Sequence, residues 1–137
     1  NNITWEKPNP PPNLSCRFFT HSTETILWAK KNKKAKHTFH YEMMKAQNDD
    51  KQMKCVWTFP PPNKAEKTFG KHPTQKPLPL LERCILSASN IGDLIFDPFM
   101  GSGTTGVAAL KHGRKFCGCE LEEDFFELAK KRLQQKL

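Results

Sequence analysis

Residues 94–120, LIFDPFMGSGTTGVAALKHGRKFCGCE, constrain the fold of this chain more than any other stretch. An apolar run predicts a short strand at 94–96, and a tight turn rich in glycine follows it. A helix is predicted at 104–111, because a hydroxyl residue stands near its start and Gly113 lies just past its end. A second apolar strand is predicted at 116–119. The stretch therefore predicts one β-α-β unit with glycines at its first turn, where backbone approaches a ligand closely.

Two ligands fit this unit. Glu120 follows the second strand, where a carboxylate can accept hydrogen bonds from a pair of ribose hydroxyls. Gly101, Gly103 and Gly106 satisfy the GxGxxG pattern, which makes a nicotinamide dinucleotide one candidate. A dinucleotide needs the helix N-terminus open for its pyrophosphate, but Asp97 places a carboxylate beside that position. A carboxylate suits a ligand with a positive amine, so S-adenosylmethionine is favoured and the dinucleotide is the weaker alternative.

The net charge of the chain indicates the class of partner that it binds. Its net charge is +8, from 22 basic and 14 acidic side chains. This favours a polyanionic partner, and a generally basic protein without such a partner is the alternative. Candidate phosphate contacts lie in a polar-aromatic loop and in a lysine run that follows a buried strand predicted at 24–29. They are Arg17, His21, Lys31, Lys33, Lys34 and Lys36, and a solvated basic loop is the alternative for each lysine.

Cysteine and histidine usage does not indicate a metal site. The five cysteines are an odd number without CxxC spacing, which argues against a disulfide framework and a zinc site and fits a reducing cytoplasm. His37 and His40 have no cysteine or acid nearby that would complete a ligand set. The sequence has no apolar run near the roughly 18 residues that a membrane helix needs, and no signal peptide, so neither insertion nor export is expected.

A second polar motif, HPTQKP at 72–77, precedes a helix predicted from about Pro79 to Ser89. Thr74, Gln75 and Lys76 present a hydroxyl, an amide and a cation in succession, which suits a carboxylate ligand. The helix carries an apolar stripe at helical spacing, and Pro79 suits its first turn. A last helix is predicted at 122–137, acidic at its start and basic at its end, in agreement with the helix dipole.

HPTQKP, a helix, DPFMGSGTT and an acid after the next strand together resemble the β-group of amino DNA methyltransferases. These enzymes of restriction-modification systems methylate adenine N6 or cytosine N4. The segments ITWEKPNPPPN and RFFTHSTETILWAKK are also similar to later strands and loops of their catalytic region. The resemblance covers the chain apart from residues 37–70. It implies S-adenosylmethionine as cofactor and double-stranded DNA as partner, with the target base flipped out of the duplex.

The resemblance implies roles for the matching residues. Those of the glycine-rich turn would line the methionine and nucleoside parts of the cofactor, Glu120 would bind its ribose, and Leu121 would lie near its adenine. Residues of HPTQKP would close over the methionine portion, and residues 31–70 would form a short target-recognition region. The implied cofactor-binding set is His72, Thr74, Gln75, Lys76, Asp97, Pro98, Phe99, Gly101, Ser102, Gly103, Thr104, Glu120 and Leu121.

One departure from the family pattern decides what to expect of catalysis. The family holds its target amine with an Asp/Ser-Pro-Pro-Tyr/Trp motif, which lies upstream of everything seen here. Residues 9–12, Asn-Pro-Pro-Pro, come nearest to it, but Pro12 has no π-face for stacking a base, so the segment is interpreted as a structural loop. The chain starts at Asn1, not Met, and its third residue already lies inside an apolar stretch. We therefore expect the C-terminal part of such an enzyme, inactive by itself and without catalytic residues of its own.

The predicted fold is α/β, a Rossmann-like S-adenosylmethionine-dependent methyltransferase sheet that is incomplete at its N-terminal side. Residues 1–30 would hold late strands and a loop of the catalytic region, 31–70 the DNA-contact insertion, and 71–137 the cofactor unit, together as one domain. The favoured activity is DNA adenine-N6 methylation in the bacterial cytoplasm. The alternatives are cytosine-N4 methylation, an inactive DNA- and cofactor-binding fragment and, more weakly, an NAD-dependent oxidoreductase. A missing N-terminal part of the same enzyme and a homodimer are candidate partners.

Overall fold

The computed structural model of the chain describes residues 1–135, which form two small sheets and four α-helices. The first sheet has the order β2-β1-β3, with β1 at Asn2–Glu6, β2 at Thr23–Leu27 and β3 at Val56–Thr58. β2 runs antiparallel and β3 parallel to β1, so that Trp5 lies opposite Trp57. Because side chains alternate along strands, both tryptophans lie on the buried face.

One strand is less buried than its sequence predicts. The apolar residues at 24–29 indicate a buried strand, but β2 is an edge strand, and Leu27 at its end is 74% exposed. β2 hydrogen-bonds to β1 on one side, and within residues 1–135 no strand lies on the other. Its apolar side chains therefore reflect the general β-propensity of the segment more than burial.

The second sheet contains the predicted β-α-β unit. β4 (Leu94–Asp97) and β5 (Lys115–Gly118) are parallel, and α3 (Thr104–Lys111) connects them. β5 begins one residue earlier than the apolar pattern predicts. The N-cap of α3 is Gly103 with φ +73°, and no side-chain hydroxyl caps the helix. The hydroxyl of Thr104 is instead held from another helix, as described below.

Helix α2 (Leu78–Ala88) joins the two sheets, because its opposite sides enter two hydrophobic clusters. Leu80 packs with Trp5 and Trp57 on the three-stranded sheet. Ile85 packs with Ala108 and Ala109 of α3. Pro79 lies in its first turn, as the sequence predicts. The clusters fix the HPTQKP loop, which precedes α2, beside the β-α-β unit.

Of the remaining helices, one lies between β2 and β3, and the other is the last element that the structure describes. α1 (Tyr41–Ala46) was not apparent in the polar, lysine-rich sequence, although Met44 is 1% exposed. α4 (Glu123–Leu133) buries Leu128 and Ala129 and ends before Gln134 and Gln135, where the sequence predicted that the helix would continue. The predicted extension of this helix to Leu137 includes Lys136 and Leu137, which lie outside the described residues. Across residues 1–135 no helix combines the length and apolar character that crossing a bilayer requires.

The β4–β5 sheet is open on one face. Ile95 and Phe116 pack toward α2 and α3, whereas Leu94 and Phe96 on the opposite face are 63% and 59% exposed. Parallel sheets are normally covered on both faces. In the described part of the chain, β4 also has a strand partner on only one edge, β5. The sheet is therefore incomplete, as the sequence predicts.

Candidate cofactor-binding site

The turn after β4 is shaped by two glycines and an aspartate. Gly101 and Gly103 have φ values of +51° and +73°, in the region that favours glycine. Asp97 Oδ1 accepts a hydrogen bond from the Phe99 amide at 3.1 Å, which fixes the carboxylate at the carboxyl end of β4. Gly103 N donates to Met100 O at 2.7 Å. The turn thus brings Asp97 and the start of α3 together.

Glu120 ties the ends of both parallel strands together. Its Oε2 accepts from the Gly101 amide at 2.9 Å, and its Oε1 accepts from the amides of Leu121 and Glu122 at 2.8 and 3.0 Å. The bond from Glu122, with smaller contributions from Gly101, Leu121 and His72, holds the pKa of this carboxyl below its ordinary value. An ionised carboxylate has about four lone-pair sites, so Glu120 retains acceptor capacity for a hydroxyl.

His72 covers the glycine turn. A Cβ on Gly101 would lie 3.1 Å from His72 Nε2, so the ring contacts the backbone there closely. The ring also packs on Phe125, with centroids 4.2 Å apart. Nδ1 accepts from the Thr74 amide at 3.2 Å, which requires an unprotonated Nδ1. Burial, and more weakly the positive Lys76 and Arg132, lower the pKa of His72, while Glu120 opposes this. The hydrogen bond to Nδ1 and the lowered pKa both favour the neutral imidazole.

Two other residues of HPTQKP have contrasting surroundings. Lys76 Nζ is bonded to Glu24 Oε2 of β2 at 2.7 Å, and Glu24 also accepts from Lys7 at 2.7 Å. Gln75 is 7% exposed and its Nε2 donates to Glu66 O at 2.8 Å. Gln75 Oε1 is buried and has no hydrogen-bond partner among the described residues. A buried acceptor without a partner is costly, and a donor on a ligand would satisfy it.

These features meet in a cavity of about 150 Å³ between the HPTQKP loop and the glycine turn. Its lining includes Gln75 and Asp97, whose side-chain oxygens can accept hydrogen bonds from a cationic amine. Nine of the predicted residues line it: His72, Thr74, Gln75, Lys76, Asp97, Phe99, Gly101, Ser102 and Thr104. Pro98, Gly103, Glu120 and Leu121 are not among its lining residues. Glu120 adjoins it through Gly101, whereas Leu121 is 93% exposed beyond it.

A larger cavity lies away from all of these residues. It measures about 410 Å³ and lies between the three-stranded sheet, α1 and α2. Its lining is mainly apolar and includes Trp28, Phe39 and Met44. Within residues 1–135, its lining includes Lys54 but no acid that could meet a cationic amine, so the smaller cavity remains the better candidate for cofactor chemistry.

The structure does not gather the predicted phosphate contacts into one patch. Arg17, His21, Lys31, Lys33, Lys34 and Lys36 are all exposed. Arg17 and His21 lie in the loop that leads into β2, and the lysines lie in the loop that leaves it. The two groups therefore flank opposite ends of a five-residue strand. Their exposure is compatible with phosphate contact, and their role stays a prediction.

Sequence reasoning missed Arg132 of α4. Its guanidinium is buried and donates to Ser102 and Thr104 at the glycine turn. In the sequence it appears as one of several basic residues near the end of an amphipathic helix. The available signal was its spacing of three and four residues from the apolar Ala129 and Leu128, which places it on the buried side of the helix.

We predict that Gly103→Ala destabilises the chain by about 2–3 kcal/mol, because a left-handed alanine costs about 1 kcal/mol or more and the new methyl meets α4. Its Cβ would lie 3.0 Å from Ala129 Cβ and 3.3 Å from Ala129 Cα. Gly92→Ala is the matched control, since Gly92 has φ +84° and nothing lies within 4 Å of the added atom. Urea unfolding of both variants measures the difference. Equal losses of unfolding free energy would show that contact with α4 is unimportant.

The fold and the site together define an α/β protein of the nucleoside-cofactor-binding type, with a glycine turn between parallel strands and an acid after each strand. A DNA methylase family model (N6_N4_Mtase) matches residues 1–131. The chain belongs to this family. The predicted family resemblance and the predicted fold are therefore confirmed.

Relatives and solved structures agree with this assignment. The chain is 62% identical over 135 residues to the type II methyltransferase M2.DpnII of Streptococcus pneumoniae, covering 98% of this chain and 50% of that relative. It is 61% identical to M2.LlaDCHI of Lactococcus lactis subsp. cremoris, covering 98% and 51%. The chain thus spans about half the length of the curated relatives it matches. The M1.HpyAVI–SAM complex matches at 42% identity with a TM-score of 0.81, covering 98% of this chain and 61% of that one.

A more distant structure supports the fold alone. PvuII DNA methyltransferase (cytosine-N4-specific) matches with a TM-score of 0.79 at 20% identity, covering 98% of this chain and 50% of that chain. Backbone geometry is therefore retained where most side chains differ.

Proposed function

We propose that this chain binds S-adenosylmethionine in the cavity between the HPTQKP loop and the glycine turn, as the cofactor-binding part of a DNA amino-methyltransferase. The observation that carries the proposal is that one cavity is lined by both Asp97 and Gln75, and that the buried Gln75 Oε1 has no hydrogen-bond partner among the described residues. Both groups accept hydrogen bonds, and the amino group of the cofactor is a cationic donor. The M1.HpyAVI neighbour, whose structure is described as a SAM complex, supports the same cofactor.

The predicted residues would contact different parts of the cofactor. Asp97 and Gln75 would face the amino group, and Thr74 with Lys76 would face the carboxylate. Lys76 is available to do so because Glu24 has a second cation, Lys7, as a partner. When bound, the cofactor supplies an electrophilic methyl group on a sulfonium centre.

The other parts of the cofactor would lie at the rim of the cavity. Glu120, ionised and with spare acceptor capacity, would hold the ribose hydroxyls. His72 is uncharged and would cover the turn without repelling the sulfonium. Phe99 lines the cavity and Leu121 lies beyond it; they are 87% and 93% exposed and would offer apolar surface to the nucleoside. Burying such side chains against a ligand is favourable by about 25 cal/mol for each Å² removed from water.

The proposed acceptor is an exocyclic amine of double-stranded DNA. Adenine N6 is the target to test first and cytosine N4 the alternative, since the family description covers both. Residues 31–70 and the six exposed basic side chains are the proposed DNA-contact surface, in keeping with the net charge of +8. The DNA substrate and the five free cysteines fit the bacterial cytoplasm.

The groups that hold the acceptor would come from another polypeptide segment. Residues 1–137 contain no Asp/Ser-Pro-Pro-aromatic sequence, and the relatives are about twice as long as their match to this chain. The open face at Leu94 and Phe96 and the free edge of β4 offer a place for a further strand and helix. We propose the remaining part of the same enzyme as that partner. A second copy of this chain is the alternative.

Calorimetric titration tests the cofactor assignment. We expect saturable binding of S-adenosylhomocysteine and no binding of NAD at the same concentrations, because Asp97 opposes a pyrophosphate beside the turn. S-adenosylhomocysteine is the suitable probe because it keeps the amino acid and the nucleoside but cannot transfer a methyl group. Saturable NAD binding without any response to S-adenosylhomocysteine would overturn the proposal in favour of an oxidoreductase.

A further inference from the structure

Arg132 holds the glycine turn from behind. It lies on α4, is 6% exposed, and its Nη1 donates to Ser102 O at 2.6 Å, Ser102 Oγ at 2.9 Å and Thr104 Oγ1 at 2.9 Å. Ser102 and Thr104 are themselves 3% and 4% exposed. Hydrogen bonds from a charged donor are stronger than neutral ones, so this nitrogen fixes both residues that flank Gly103.

The packing of α4 makes this contact specific to one arrangement of the turn. Gly103 lies directly against Ala129, one helical turn before Arg132. Since Gly103 has no side chain, the helix approaches closely enough for the guanidinium to reach both hydroxyls. Ser102 and Thr104 line the cavity, whereas Arg132 is not among its lining residues. Arg132 therefore lies one layer behind the cavity wall and does not line it.

The guanidinium also carries a charge that is not paired in an ion pair within residues 1–135. In the part of the chain that the structure describes, no carboxylate oxygen lies within 4.0 Å of Arg132. Glu66 acts on it only at longer range, and burial lowers its pKa, but an arginine remains protonated at neutral pH. The positive charge adds to the partial positive charge at the N-terminus of α3. Both favour an anionic group at this side of the cavity.

We propose that Arg132 is a positioning residue for the amino-acid end of the cofactor. It sets the conformation of Ser102-Gly103-Thr104 and provides a positive field for the ligand carboxylate. The inference rests on the proposed function, because it assumes that the cavity receives the amino-acid end. A purely structural role is the competing explanation, and it predicts a general loss of folding without selectivity between ligands.

The test compares two ligands that differ only at the amino-acid end. S-adenosylhomocysteine carries the amino acid, and 5′-methylthioadenosine keeps the thioether nucleoside without it. For Arg132→Met in the full chain we expect the affinity for S-adenosylhomocysteine to fall about tenfold or more, equivalent to 1.4 kcal/mol. The affinity for 5′-methylthioadenosine should change less than about twofold, below 0.5 kcal/mol on the same scale. Arg132→Lys keeps the charge but not the hydrogen-bond geometry, so its affinity for S-adenosylhomocysteine should lie between those of Arg132→Met and the wild type.

Controls separate the possible failures. Lys131→Met removes an exposed charge from the same helix and should leave both affinities unchanged. If circular dichroism shows that Arg132→Met does not fold, Ser102→Ala and Thr104→Val replace it, because each removes one hydroxyl that accepts a hydrogen bond from Arg132. Each should lower the affinity for S-adenosylhomocysteine more than the affinity for 5′-methylthioadenosine, by a smaller factor than is expected for Arg132→Met. Equal losses for both ligands, or none for either, would overturn the positioning role. A wild-type chain that binds neither ligand would instead overturn the proposed function.

Discussion

Asp97→Ala is expected to abolish S-adenosylhomocysteine binding at concentrations that saturate the wild-type chain. Asp97 is held at the end of β4 by the Phe99 amide and lines the same cavity as Gln75. Its carboxylate is the one full negative charge among the residues that line this cavity. Removing it leaves the ligand's amino group with a single uncharged acceptor.

The size of this effect follows from the loss of a charge-assisted hydrogen bond. Such bonds contribute about 1.5–3 kcal/mol, and the turn itself loses the contact from Asp97 to Phe99. Together these correspond to an affinity loss on the order of 100-fold, since about 1.4 kcal/mol is tenfold. Calorimetry or equilibrium dialysis with labelled ligand measures it.

Asp97→Asn is the matched control for charge. An asparagine keeps the side-chain oxygen that accepts from the Phe99 amide, so the turn should retain its shape while the ionic contact is lost. We expect an affinity between those of the wild type and the alanine variant. Unchanged affinity in Asp97→Ala would contradict the contact with the amine, whereas equal losses in both variants would assign the whole effect to charge.

Methyl transfer is the second expectation with a large effect. We expect no incorporation of tritiated methyl groups into DNA by this chain alone. Incorporation should appear when the chain is combined with a polypeptide that carries Asp-Pro-Pro-Tyr. The acceptor amine needs a hydrogen-bond acceptor and a stacking surface. Within residues 9–12, Asn9 is exposed and Pro12 has no aromatic ring.

Two variants make this experiment specific. Asn9→Ala should leave the complemented activity unchanged, because residues 9–12 are interpreted as a structural loop. Asp97→Ala should eliminate the complemented activity through loss of the cofactor. Incorporation by the unmixed chain would prove the expectation of inactivity wrong. Complementation that also survives Leu94→Glu would place the partner away from the open face of the β4–β5 sheet.

The local features of the site could be predicted because they depend on neighbouring residues. The β-α-β unit follows from two apolar runs, a glycine turn and a helix of eight residues, and each of these signals lies within a few positions in the chain. The HPTQKP loop was found in the same way, from residue types in succession. The family resemblance then connected the two motifs, which the structure brings to opposite walls of one cavity.

Contacts between distant residues could not be predicted. Lys76 binds Glu24 across 52 positions, and Arg132 reaches Ser102 across 30. Neither pair produces a periodic pattern in the sequence. Most lysines and arginines of a basic chain are expected to be solvent-exposed, so the sequence does not single out the two that make these contacts. Helix α1 was missed for a related reason: it has six residues, too few to be stable alone, and it depends on burial of Met44.

The sequence by itself determined the family, the β-α-β unit, the two cofactor motifs and the absence of an Asp/Ser-Pro-Pro-aromatic motif from residues 1–137, because all of these are written in contiguous residues. Only the tertiary structure decided which residues line the cavity, that the buried Gln75 Oε1 has no hydrogen-bond partner within residues 1–135, and that Arg132 holds the turn. Burial and hydrogen bonding at the site depend on which side chains of α2 and α4 pack next to it. Local sequence patterns do not encode that packing.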